Sequence, residues 1–283
     1  MKKPRSILVE FTIIACAGAI IARYMQLIRG AIDFDTGFFY YTSGSLRHIH
    51  YIVLAIAFAG LVAIALVEKK RKTVFFSKRM GHLDRSDTFM CGLMLMLASF
   101  SVFFTMFQSG FSEAGTADTL IGVLGGTTYA VAGLILLVKK RALPSVGFCF
   151  LLLAVFYVIN LVQAFLGNYV LLNMSEHLIR LVFTVFLALF FVTAGRMFLR
   201  AESKSTRVKT CIFGFFAIVI VVSEIMSKMI FWFGSPAVAR TELRSTNFLP
   251  PDMQFSAEAI VLLTLLICFT RRKSERVKSD KEA

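Results

Sequence analysis

Charge is scarce in this 283-residue chain: Asp, Glu, Lys and Arg together make up 17% of it, where a soluble domain carries about a quarter. Hydrophobic residues reach 57% and fall in long blocks. That balance excludes an ordinary soluble domain. The blocks also lack period-two alternation, which excludes a membrane β-barrel and leaves helices of about 20 residues. Cysteine motifs are missing too. Cys16, Cys91, Cys149, Cys211 and Cys268 sit in or at the ends of apolar runs, with no CxxC and no Cys/His metal spacing. They read as small buried hydrophobes rather than a disulfide framework or a metal site. No Walker loop, dinucleotide fingerprint, HExxH or GxSxG is present. With four His in the whole chain, no nucleophile or metal set can be assembled, so neither catalysis nor a cofactor is expected.

What is present is a series of apolar runs. Eight spans are predicted, over about 7–28, 49–67, 89–108, 119–138, 145–166, 177–199, 210–233 and 254–270. The thirty Phe suit a lipid-facing surface. The first run, after MKKPRS, imitates a signal peptide. Glu10 within it, its full spanning length and the continuation ARYMQ favour a retained helix. The fold class expected is all-α, a polytopic membrane helical bundle. Residues 1–270 form a single transmembrane domain and 271–283 a basic cytoplasmic tail.

Alternate loops differ in charge. The N-terminus, 68–88, 139–141, 196–209 and the C-terminal tail hold 24 of the 31 Lys and Arg. Lys and Arg mark the cytoplasmic side, so both termini are expected in the cytoplasm of a plasma-membrane protein. The net charge of +14 then sets topology and meets anionic headgroups; nucleic acid is not an expected partner, whereas the bilayer is. Two external loops are longer. One has an Asp33–Gly37 turn beside Phe38, Phe39, Tyr40 and Tyr41. The other ends at Pro250–Pro251.

Polar residues inside the runs are the functional signal. Glu224 lies about 22 Å from the cytoplasmic edge, counted from Lys209 at 1.5 Å per residue, in the outer third of a ~30 Å core. Arg23, Gln26, Asn160, Gln163, His177, Arg180, Lys228 and Glu258 fall at a similar level. Helical spacing puts Ser223, Glu224, Ser227 and Lys228 on one side of their helix, and Tyr157, Asn160 and Gln163 form another stripe. An ionisable group at a helix centre costs ~2.5–3.5 kcal/mol on insertion scales, so such groups turn inward and pair. Five helices are therefore expected to aim these nine residues at one layer. Two readings stay open: a purely structural polar network, or a pocket open to the outside that takes a small anionic or zwitterionic ligand, since the basic groups outnumber the acidic ones.

Two further patterns bear on packing. Gly122, Gly126 and Ala130 make a small-residue face that lets helices approach closely, within this chain rather than between copies. A parallel duplication into four-helix halves, 1–142 and 143–283, is a further expectation, each half opening with a span that carries Gln (Gln26, Gln163) and then a Ser/His cluster (45–50, 175–177). Finally, ARYMQLIRGAIDFDTGFF (22–39) and NMSEHLIRLVFTVFLALFFVTAGRMF (173–198) resemble segments of uncharacterised multi-pass membrane proteins of Gram-positive anaerobic bacteria. The resemblance implies a bacterial plasma membrane and brings no activity. Solute binding or transport is the leading expectation, and a non-catalytic sensor or assembly partner is the alternative.

Overall fold

Each apolar run forms a helix. The computed structural model describes residues 7–29, 46–70, 85–108, 116–139, 144–167, 175–199, 203–234 and 253–270. The helices are α1 (Ile7–Ile28), α2 (Leu46–Lys70), α3 (Arg85–Gln108), α4 (Thr116–Lys139), α5 (Pro144–Gly167), α6 (Ser175–Phe198), α7 (Lys204–Gly234) and α8 (Met253–Thr270). Several extend beyond the predicted spans at their polar ends, because backbone hydrogen bonding continues past the point where hydropathy falls. Both external loops lie outside the described residues.

Local chemistry sets the helix ends. Pro144 opens α5 at the first helical position, where its missing N–H costs nothing. Ser203 caps α7, its Oγ accepting the Thr206 N–H at 3.0 Å. Glu68, buried at the far end of α2, accepts the Leu8 N–H at 3.4 Å and so serves one of the unpaired donors that open α1. Glu10, the acidic residue expected inside the first span, is exposed. Within the helices, hydroxyls bond back to their own turn, as from Thr12 to Leu8 O at 2.7 Å and from Thr210 to Thr206 O at 2.9 Å. Lipid offers them no other partner.

Among the described residues, seven helices are long and apolar enough to cross a membrane. The eighth, α8, has 18 residues, about 27 Å at the helical rise, with its apolar stretch at Phe255–Phe269. Length and composition thus support seven of the eight expected spans and do not by themselves confirm α8 as the eighth. The outer surface is aliphatic and aromatic, with Ile13, Ile14, Ile56, Phe107, Leu134 and Phe148 all well exposed. In water so much contiguous apolar surface would aggregate; a bilayer covers it. The protein is a multi-pass helical membrane bundle.

Helices α3, α4, α5, α6, α7 and α8 neighbour one another in turn and close a six-membered ring, α8 meeting α3. Helices α1 and α2 pack on each other and on α7, outside that ring. Helix α7 belongs to both groups and is the most buried. Its Gly214 takes the side chains of Leu266 and Phe190 at distances a Cβ would obstruct.

Two hairpins share one crossing. A Cβ on Gly92 would lie 2.9 Å from Gly133 O, and one on Gly133 would lie 2.9 Å from Gly92 O; Gly147 and Gly195 repeat both distances. The residue four positions after each glycine covers the opposite one: Met96 and Leu137 in α3–α4, Leu151 and Leu199 in α5–α6. The sequences around the second glycines correspond, YAVAG at 129–133 and FVTAG at 191–195. The repeat the packing displays is thus a two-helix hairpin. The expected pair of four-helix halves is not confirmed by the adjacencies among the described residues, where α6 packs broadly on α7 and α2 shows no comparable face with α3. The Gln and Ser/His clusters behind that expectation sit at helix ends, where they do not fix a crossing. Gly122 and Gly126 face Met106 and Phe103 of α3, Ser99 donates to Gly126 O at 2.8 Å, and Ala130 is half-buried.

Candidate functional site

Three charged side chains from two helices meet near the end of the bundle away from the Lys- and Arg-rich loops. Arg23 donates to Glu224 through Nε at 2.9 Å and through a terminal nitrogen at 3.3 Å, a two-pronged grip on one carboxylate. Lys228 Nζ lies 3.2 Å from the same carboxylate, one helical turn along α7. Arg23 also donates to Gln26 Oε1 at 3.1 Å, and Gln26 Nε2 donates to the Leu46 carbonyl at 3.0 Å, tying α1 to the start of α2. Ser223 and Ser227 turn their hydroxyls onto their own helix, to Ile220 O at 2.8 Å and Glu224 O at 3.1 Å. Glu224 stands ten residues before the end of α7, about 15 Å by the helical rise.

Burial here is nearly complete: Arg23 and Gln26 are 0% exposed, Glu224 5% and Lys228 8%. A lone Arg or Lys so placed would face the full cost of leaving water. The shared carboxylate offsets that cost for both cations.

His50 of α2 completes the group. It is 0% exposed and within electrostatic reach of Arg23 and Glu224; the Ala19 carbonyl lies beside the ring, and neither ring nitrogen makes a well-aligned hydrogen bond. Buried polar atoms in native structures are nearly always satisfied, and with Ala19 able to serve only one ring nitrogen the other has room for a water or a ligand atom.

A second polar group lies inside the six-helix ring. Tyr129 of α4 and Tyr157 of α5 share a 2.6 Å hydroxyl–hydroxyl hydrogen bond, and Tyr157 also hydrogen-bonds Glu258 of α8. All three are buried. Phe191 stacks on Tyr157 at 5.7 Å and meets Tyr129 edge-on at 6.1 Å.

The nine expected residues are therefore not one layer. Arg23, Gln26, Glu224 and Lys228 come together; Glu258 belongs to the tyrosine pair. Asn160 and Gln163 are half-buried on α5, Arg180 is exposed on α6, and the side chain of His177 lies outside the described residues. Sequence position gives height and helical angle, but not that α1 and α2 stand outside the ring. That placement leaves Arg23 facing α7 and Glu258 facing α5. Two participants escaped notice. His50 looked like an interfacial residue at a helix start. Tyr129 had a usable signal: in a chain with seven Tyr and thirty Phe, a tyrosine in mid-helix carries a hydroxyl that needs a partner.

Among the described residues no group of three or more His, Cys, Asp or Glu side chains could hold a metal ion. None of the five cysteines is in a disulfide, and the Cys91 thiol meets that of Cys268 between α3 and α8. Comparison with known family models, with curated proteins and with solved structures finds no match.

Proposed function

We propose that this multi-pass protein binds, and carries across a bacterial plasma membrane, a small anionic or zwitterionic solute at the Arg23–Glu224–Lys228 cluster. Both termini would then lie in the cytoplasm, as the charge of the loops favours, and the cluster would lie near the outer face. The observation that carries this reading is the convergence of two buried cationic side chains, Arg23 and Lys228, on one carboxylate, with the buried imidazole of His50 beside them. A solute carboxylate or phosphate would supply both a negative charge and an acceptor. The residues would divide the work: Glu224 holds Arg23 and Lys228 in place, the cations attract the anionic group, and His50 orients it.

Thermal unfolding of the protein in lipid nanodiscs, against a panel of small carboxylates, phosphates and amino acids, tests this. At least one class should raise the Tm by several degrees, and His50→Ala should abolish that rise while keeping the fold. If no anionic or zwitterionic compound stabilises the wild type, the proposal fails.

The two-pronged Arg23–Glu224 contact favours a second reading, in which the cluster only fastens α1 to α7 in a sensor or assembly partner. On that reading Arg23→Met, Glu224→Met and Lys228→Met together would retain the protein's biological role, because a buried ionic group is often replaceable by apolar residues at no cost in stability.

A further inference from the structure

The ring cluster has features that the solute site does not explain. Glu258 is a carboxyl group deep among helices, and its neighbours are phenols and rings: Tyr157 and Tyr129, then Phe191 and, through Phe255, Phe183 at 4.8 Å. The hydrogen-bond inventory fixes the direction of this chain. An ionised carboxylate only accepts, so Tyr157 donates its single proton to Glu258. Tyr129 must then donate to the Tyr157 oxygen. Once Glu258 takes up a proton it can donate, and both phenol protons can swing the other way. The chain thus has two ordered states that differ by one proton on the carboxyl, with each phenol keeping its own.

A metal ion suits the group poorly. A hard cation such as calcium takes six to eight oxygens at about 2.3–2.6 Å. Here one carboxyl and two hydroxyls are available, and the hydroxyls are already in contact at 2.6 Å. A proton needs no such room. Intramembrane carboxyl groups commonly mark proton relays, and this one is built into the helices that surround it.

We infer that Glu258 is a proton-binding site of this protein, with Tyr157 and Tyr129 as its relay, placed to supply the coupling ion of a solute carrier. The coupling role rests on the function proposed above; the uptake of a proton by Glu258 does not. The ionisable groups around it are few. Tyr157 and Tyr129 come from α5 and α4. On α7, Glu224 and Lys228 pair with each other and with Arg23 of α1. On α3, Asp87 and Cys91 lie near its start. On α6, Arg180 lies one turn before Phe183.

Infrared difference spectra of the nanodisc-embedded protein, taken as pH is stepped from mildly acid to alkaline, read the proton directly. The wild type should show a protonated-carboxyl band that disappears on alkalinisation, and E258Q should lose it. Y157F keeps the side-chain volume and should shift that band by removing its hydrogen-bond partner. If folded E258Q shows the same carboxyl bands as wild type, the inference is overturned. Should E258Q not fold, an unshifted set of bands in Y157F overturns it instead. A band that persists in a variant that no longer responds to any solute supports the proton site and removes only its coupling role.

Discussion

The two buried polar groups solve the same problem in opposite ways. Around Arg23, formal charges meet, and two cationic side chains share one carboxylate between α1 and α7. Inside the ring, one carboxyl is met by two neutral hydroxyls and packed in aromatic rings. In the first group the partners are indispensable to one another, because each is a charge that could not remain buried alone. In the second, the carboxyl can become neutral by taking a proton and stay hydrogen-bonded. One arrangement suits holding a charged solute group; the other suits gaining and losing a proton.

Substitutions should expose that difference. Glu224→Ala is expected to have the largest effect, destabilising the protein by about 3–5 kcal/mol, since two cations would lose their common partner; chemical unfolding in mixed micelles measures it. Arg23→Met combined with Glu224→Met should recover most of that loss and come within about 1 kcal/mol of wild type if Lys228 is also made Met. A double-mutant cycle between positions 23 and 224 that returned additive effects would dissolve the cluster as a unit. In the ring, Gly195→Leu should cost about 1–3 kcal/mol by driving a side chain into the Gly147 backbone, and Gly133→Leu should match it at the sister crossing. Unequal losses would show that the two hairpins are not equivalent. Tyr129→Phe should have the smallest effect, about 0.6–1 kcal/mol, one interhelical hydrogen bond in a membrane. Its unfolding transition should barely move while any carboxyl band of Glu258 shifts slightly.

The cysteines extend the contrast. Cys91 and Cys268 join α3 to α8, and serine at either position should disturb only that seam of the ring. Neither change should alter the Arg23 cluster, because α1 and α2 meet the ring mainly at α7, with Phe58 also against Phe186 of α6, and not at the α3–α8 seam. Cross-linking or solute-stabilisation measurements on such variants would check that separation.

Much of this was legible in one dimension. Hydropathy placed the helices because a backbone in lipid has to satisfy its own hydrogen bonds, and an apolar run of about 20 residues is the local signature of that demand. Helical periodicity put Glu224 and Lys228 on one face, and the cost of burying charge required that they find partners. Spacing along the chain also marked Gly122 and Gly126 as a close-packing face. None of these arguments needs to know where another helix is.

The remainder depended on which helices became neighbours. Arg23 and Glu224 are 201 residues apart in sequence, and nothing in either segment names the other. That α1 and α2 lie against α7 outside a closed ring separated Glu258 from the charges it was expected to join, and left Arg180 on the outer surface. The hairpin repeat emerged from pairs of facing glycines, Gly92 with Gly133 and Gly147 with Gly195. His50 looked ordinary until neighbouring helices closed over it. The sequence alone determined that this is a helical membrane protein with costly charges to hide, since lipid acts on each segment separately. Only the tertiary structure decided which charges hide together, because pairing depends on the arrangement of helices around α7 and not on depth within any one of them.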